Sequence, residues 1–209
     1  MKEVNRKEHW ENIYSTKKDN QVSWTQENPE ISMNFIESCG ISKNSSIIDV
    51  GAGNSRLVDK LIEAGFEDIT ILDISEHALE RVKNRLGDHA KKVNWVVADI
   101  TQYETSKSFD LWHDRAAFHF LTKPSQIKSY LNIAKKSIKN NGYMTLGTFS
   151  DNGPKKCSGL EITQYSENTL QKQLGKDFKM IKNTRQDHKT PFDTTQNFLF
   201  CSFRYNPSC

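Results

Sequence analysis

The sequence predicts one α/β domain: a doubly wound, mostly parallel sheet with a helical cap before it and an antiparallel hairpin after it. Three observations carry this. Short apolar runs alternate with amphipathic segments between residues 46 and 149, a glycine turn follows the first run, and the last segments are strand-like with no helix between them.

The 209 residues suit one sizeable core better than two domains. Within that domain, residues 1–45 are expected to form the cap or lid, 46–150 the cofactor-binding core, and 151–209 an acceptor loop and the terminal hairpin. The first strand is SIIDV at 46–50, a short apolar run ending in a glycine turn, as a buried parallel strand should be. The next segment sets Leu57, Val58, Leu61 and Ile62 at helical spacing and stops at Gly65. ITILDI at 69–74 is the second strand; Ser75 then caps a helix with Leu79, Val82 and Leu86 inward, ended by Gly87. VNWVVADI at 93–100 and FDLWHD at 109–114 are the third and fourth strands. Residues 125–139 read as a helix with Ile127, Leu131, Ala134 and Ile138 facing the core, and YMTLGTF at 143–149 as the fifth strand. The tail pairs FKMIKNTRQDHKT with TQNFLFCSFRY around a turn at Pro191.

Composition narrows the partners. Against 29 basic residues stand 26 acidic ones, and the lysines are scattered, which argues against a nucleic-acid partner. MKEVNRKEHW lacks the apolar stretch of a signal peptide, and no run nears the ~20 apolar residues of a membrane span, so a cytoplasmic protein without a membrane partner is expected. Cys39, Cys157, Cys201 and Cys209 are widely spaced without a C-x-x-C pair, so they read as free thiols and no metal site is expected.

The chemistry concentrates in Asp49-Val50-Gly51-Ala52-Gly53, at the turn from the first strand into a helix, with Asp73 ending the second strand 22 residues after Gly51. Glycines let backbone approach a ligand, and an acid at that distance can accept from both hydroxyls of a ribose. Arg56 replaces the third glycine of a dinucleotide-binding turn, and a second acid, Asp99, ends the third strand beside Ile100, placed for the amino group and ring of an adenine.

On these residues, and on HWENIY, QVSW, DVGAGNS, LDIS, WHDRAAFHFL and CSGL with Tyr165, the chain resembles Rossmann-like class I S-adenosylmethionine-dependent methyltransferases over nearly its whole length. It is similar to a widespread bacterial group and, more distantly, to thiopurine-type and lysine-directed members. The resemblance implies a seven-stranded sheet and S-adenosylmethionine as cofactor. Gly51 and Gly53 would lie against its methionine portion, Asp49 would orient that loop or the amino group, Asp73 with Ile74 would hold the ribose, and Asp99 with Ile100 the adenine. Ser55 stands where many members have glycine; it would cap the helix and bond the methionine carboxylate. His113 and Asp114 match the motif facing the reactive methyl, and either is a candidate base, with a salt bridge to Arg115 as the structural alternative for Asp114. Trp24 is expected in an aromatic lid that Trp10 and Tyr14 could share, with Trp10 read rather as a staple of the N-terminal segment onto the sheet; His119 and Cys157 are expected as packed core residues.

The expected reaction is methyl transfer to a small-molecule thiol, amine or carboxylate. A protein lysine is the alternative acceptor. A non-catalytic adenosyl-binding module and an NAD-dependent reductase share parts of the pattern.

Overall fold

The computed structural model describes residues 5–207. Its strands are β1 (Ser46–Val50), β2 (Asp68–Asp73), β3 (Val93–Val97), β4 (Phe109–Arg115), β5 (Ile138–Phe149), the two-residue β6 (Lys156–Cys157) and β7 (Leu160–Glu161), β8 (Phe178–Lys189) and β9 (Thr195–Tyr205). Its helices are α1 (Arg6–Thr16), α2 (Glu30–Ser38), α3 (Leu57–Glu63), α4 (Glu76–Leu86), α5 (Pro124–Ser137) and α6 (Glu167–Leu174). Seven strands form one sheet in the order β3-β2-β1-β4-β5-β9-β8, parallel through β5, with β9 inserted antiparallel between β5 and β8. The order runs outward from β1 in both directions, which opens a crevice above the carboxyl ends of β1 and β4.

Alternation along each strand divides the core into two layers. Ile47, Ile71 and Leu111 pack with Met33, Ile36, Leu61, Leu79 and Val82 under α2, α3 and α4. Ile48, Leu72 and Trp112 pack on the opposite face with Tyr130, Leu131, Ala134 and Leu170 under α5 and α6. β1 is buried at every position, Ser46 and Asp49 included, as a central strand covered on both faces is.

The predicted elements shift at their ends. Ile138 leaves the helix and opens β5, because Asn141 at φ 62° precedes Gly142 and the chain turns there before settling into register opposite β4. β3 stops at Val97, so Asp99 sits in the turn beyond it. Ser75 caps α4 by accepting from the Ala78 amide. Residues 167–174, which carry no strong sequence signal, form α6, capped by Ser166 and ended at Gly175. Of the expected N-terminal cap, α1 packs on α4 over the crevice, whereas α2 is a layer helix of the core. Cys39, Cys157 and Cys201 are buried free thiols; Cys209 lies outside the described residues. Among the described residues no helix is long and apolar enough to cross a membrane, and no cluster of three or more His, Cys, Asp or Glu side chains is placed for a metal.

Candidate active site

A deep cavity opens at the carboxyl ends of β1 to β5, roofed by α1 and the segment that follows it. Its floor begins at the glycine turn. Gly51 and Gly53 hold φ of 64° and 56°, where a side chain is strained, and the Gly51 and Ala52 amides both donate to the Leu72 carbonyl. The room their missing side chains leave is taken by the protein itself. A Cβ on Gly51 would collide with the Ala117 methyl, and one on Gly53 with the Tyr14 hydroxyl. The glycines therefore let the turn nest between β4 and α1. Gly51 lines the cavity, as do Ala52 and Asn54, while the Gly53 amide is turned onto Asp73.

Asp73, at the end of β2, is buried and clamps the turn: Oδ2 accepts from Gly53 N at 2.7 Å and Oδ1 from Ser75 N at 2.8 Å. Each carboxylate oxygen has two acceptor positions, so one stays open on each, the number that a pair of vicinal hydroxyls needs. Burial pushes this carboxyl up to about 6, with the charges of Asp49 and Glu11 adding to the rise and the two backbone bonds opposing it. Asp99 is held more fully. Its Oδ1 accepts from Thr101 N and Oγ1, and Oδ2 takes Arg6 of α1 at 2.7 Å, leaving one acceptor position on Oδ2. Ile74 and Ile100 line the cavity beside these two acids. Ser55 also lines it, and its hydroxyl accepts from the Leu57 amide at the start of α3, while the residue at the helix cap itself is Arg56, which makes no side-chain capping bond. Arg85 steadies the same turn by donating to the Asn54 and Ser55 carbonyls and pairing with both oxygens of Asp59.

The pair at the end of β4 separates. Adjacent strand residues point to opposite faces, and His113 and Arg115 line the cavity while Asp114 does not. His113 is itself engaged: Nδ1 lies 2.7 Å from Asp49 Oδ1 and Nε2 2.9 Å from Ser32 Oγ, a buried link from β1 through β4 to α2. Asp114 Oδ1 accepts from the Ala117 and Phe118 amides and Oδ2 from the Tyr130 hydroxyl, which in turn accepts from Trp112 Nε1 at 2.8 Å. Asp114, expected as a candidate base, is engaged here as the anchor of the turn after β4. The alternative salt bridge to Arg115 is absent, since the Arg115 Nη1 donates to the Trp24 carbonyl.

Trp24 packs edge-on against Trp10 with ring centroids 5.6 Å apart, and Trp10 against Phe120 at 5.1 Å. Both tryptophans and Tyr14 line the cavity, so the three rings form a roof already in place in this structure. Trp10 serves as staple and roof together. Beyond β4 the wall is Phe149, Phe198, Cys157 and Arg115. Burial raises the Cys157 thiol to about 11, so it stays protonated and acts as packing. His119 is also packing: its Nδ1 accepts from Phe149 N, its ring stacks on Phe149 at 4.5 Å, and burial holds it down at about 3. Sequence reasoning passed over Arg6, Ser32 and Arg115. For Arg115 a signal was available, since alternation places it on the face of His113.

Sheet order, the glycine turn and the acids at the ends of two neighbouring strands define the architecture of a class I S-adenosylmethionine-dependent methyltransferase. The chain belongs to the methyltransferase-domain family, whose model matches residues 41–199. It is 27% identical over 155 residues to EEF1A lysine methyltransferase 2 of Danio rerio, covering 67% of this chain and 66% of that protein. It is 33% identical over 109 residues to a malonyl-[acyl-carrier protein] O-methyltransferase of Anoxybacillus flavithermus, covering 51% of this chain and 39% of that one. The chain therefore spans less than two thirds of either relative. Among solved structures, the N-methyltransferase NodS of Bradyrhizobium japonicum, in complex with S-adenosyl-L-homocysteine, matches its fold with a TM-score of 0.74 at 18% identity, over 98% of this chain and 100% of that one.

Proposed function

We propose that this protein transfers a methyl group from S-adenosylmethionine to a small-molecule nucleophile, a thiol, amine or carboxylate. The residues present fit the cofactor. Asp73 keeps one open acceptor position on each oxygen for the two ribose hydroxyls, Asp99 keeps one for the adenine amino group, and Ile74 and Ile100 supply apolar surface for the ring. Asp49 and the turn through Gly51 and Gly53 would hold the methionine portion, with Ser55 at its carboxylate end, and the acids supply negative potential toward a cationic ligand. When bound, the cofactor supplies a sulfonium methyl, so the acceptor's lone pair forms the new carbon bond as the carbon–sulfur pair departs on sulfur. The chain's own work is alignment and exclusion of water. The Asp49–His113–Ser32 link fixes the glycine turn relative to β4, and Trp10, Trp24 and Phe120 keep solvent from the strand ends.

The observation that carries the small-molecule reading is the aromatic roof: α1 and Trp24 partly cover the crevice, leaving a deep pocket in place of a flat open groove. The two relatives above, one named for a lysine and one for an acyl-carrier substrate, keep a protein acceptor as the second reading. Incubation with labelled S-adenosylmethionine and fractionated cell extract tests both. Label in small molecules is expected, label confined to protein would establish the second reading, and S-adenosylhomocysteine that never forms would leave only a binding module.

A further inference from the structure

The wall beyond β4 holds a cation that the cofactor reading does not use. Arg115 lines the cavity, and its Nη1 is spent on the Trp24 carbonyl at 3.0 Å. Its Nε and Nη2 expose almost no surface in this structure and have no hydrogen-bond partner. Its guanidinium lies over the Phe198 ring, 5.1 Å from the centroid. Burial lowers its affinity for the proton to about 10, opposed chiefly by the charge of Asp49, so it stays cationic near neutral pH. Asp49 steadies that charge without bonding it, and its Oδ1 is engaged by His113. Leaving charged donors buried and unpaired is costly, and a fold that keeps them has left two donors for a ligand to satisfy.

The chemistry of that ligand follows from which nitrogens are free. Nε–H and one Nη2–H lie along the same edge of the guanidinium, a parallel pair of donors that matches the two oxygens of a carboxylate. Position separates this edge from the nucleoside end. The acids that fit ribose and adenine stand beyond β2 and β3, whereas Arg115 ends β4 and packs toward Phe198 of β9. Electrostatics points the same way: a sulfonium and a guanidinium in one partly covered cavity disfavour a further ammonium group beside Arg115 and favour an anion there.

We propose that Arg115 anchors the acceptor, and that the acceptor is a small molecule bearing a carboxylate, which the Nε/Nη2 edge receives while the apolar part rests against Phe149 and Phe198. This rests on the methyltransferase reading and narrows it to one acceptor class. Methylation of the carboxylate itself and methylation of another atom on a carboxylate-anchored molecule share this recognition, and the product distinguishes them.

The test begins with S-adenosylhomocysteine titrated into the wild-type protein by calorimetry. The saturated complex is then screened by ligand-observed NMR against small aromatic and aliphatic carboxylates, each beside its neutral amide and its amine counterpart. Carboxylates should bind more tightly than their amides by roughly tenfold or more, as loss of charge-assisted bonds implies. The Arg115 Nε–H resonance should move as they bind. Arg115→Met should erase the preference while S-adenosylhomocysteine affinity stays within about twofold, and Arg115→Lys, with charge but no fork, should restore part of it. If S-adenosylhomocysteine fails to bind the wild type, the cofactor reading falls and this proposal with it. If it binds but carboxylates show no advantage, or amines bind better, the acceptor class alone is wrong. A fall of tenfold or more in S-adenosylhomocysteine affinity in Arg115→Met would instead assign Arg115 to the cofactor's own carboxylate. Should that variant not fold, an Nε–H resonance unmoved by saturating carboxylate in the wild type overturns the proposal by itself.

Discussion

Replacing Asp114 by Asn separates a structural carboxylate from a catalytic one. Burial raises its affinity for the proton from the usual 3.8 to about 6, against the opposing pull of Tyr130, the Ala117 and Phe118 amides and His113. That difference corresponds to about 3 kcal/mol between the ionised and neutral forms. The sign follows from linkage. A carboxyl raised in the folded state contributes stability that is complete below its unfolded value and is lost as pH rises through about 6. The side-chain amide that Asp114→Asn introduces has no such titration. Like a protonated carboxyl it can accept from the two backbone amides and donate to the Tyr130 oxygen, but its second N–H is left buried without a partner, at about 1–3 kcal/mol. Near pH 7.5 the spared ionisation offsets that cost, and the two proteins should agree within about 2 kcal/mol. Toward about pH 4.5 the wild type should become the more stable by roughly 1–3 kcal/mol, since only it takes up the proton. Asp73, also near 6, titrates in both proteins and cancels in the difference. Urea unfolding of both proteins across this range measures the quantity, with S-adenosylhomocysteine affinity expected to hold within about twofold. A stability difference that does not vary with pH would refute the raised carboxyl. A well-folded variant that loses tenfold or more in cofactor affinity, or whose turnover collapses once an acceptor is known, would show that Asp114 reaches the cavity after all.

Asp73→Ala should weaken S-adenosylmethionine and S-adenosylhomocysteine by more than about tenfold, since each bond to a charged carboxylate contributes roughly 1.5–3 kcal/mol and the Gly53 and Ser75 amides lose their anchor as well; unchanged affinity by calorimetry would remove Asp73 from the site. Gly51→Ala should lose roughly 2–5 kcal/mol in a urea melt, from the strain of φ 64° and the collision with Ala117; wild-type stability would show that the turn yields. In a variant retaining only Trp24 among the four tryptophans, emission should change on titration with S-adenosylhomocysteine, because Trp24 lines the cavity. A flat signal at saturation would place Trp24 away from the ligand.

How much of this was legible in the sequence depends on which interactions are local. Apolar runs and helical spacing belong to segments of a few residues, so the five parallel strands, the Ser75 cap and the closing hairpin could be read directly. The glycine turn and Asp73 were legible for the same reason, being tied by a strand–turn–helix–strand unit of fixed length. The ends of α5 and β5 were misread because Asn141 and Gly142 turn the chain only where β4 offers a register to join. Helix α6 escaped because eight residues with two buried leucines carry too short a period to stand out. What sequence alone determined is the parallel α/β sheet and the cofactor turn, since these follow from periodicity and steric rules within contiguous segments. Tertiary structure decided which face each residue at the end of β4 presents. It sent Asp114 to Tyr130, 16 positions along the chain, joined His113 to Ser32, 81 positions away, and set Arg115 against Phe198 with two donors unpaired. Partners so far apart in the chain meet only when the sheet closes, so no local pattern records them.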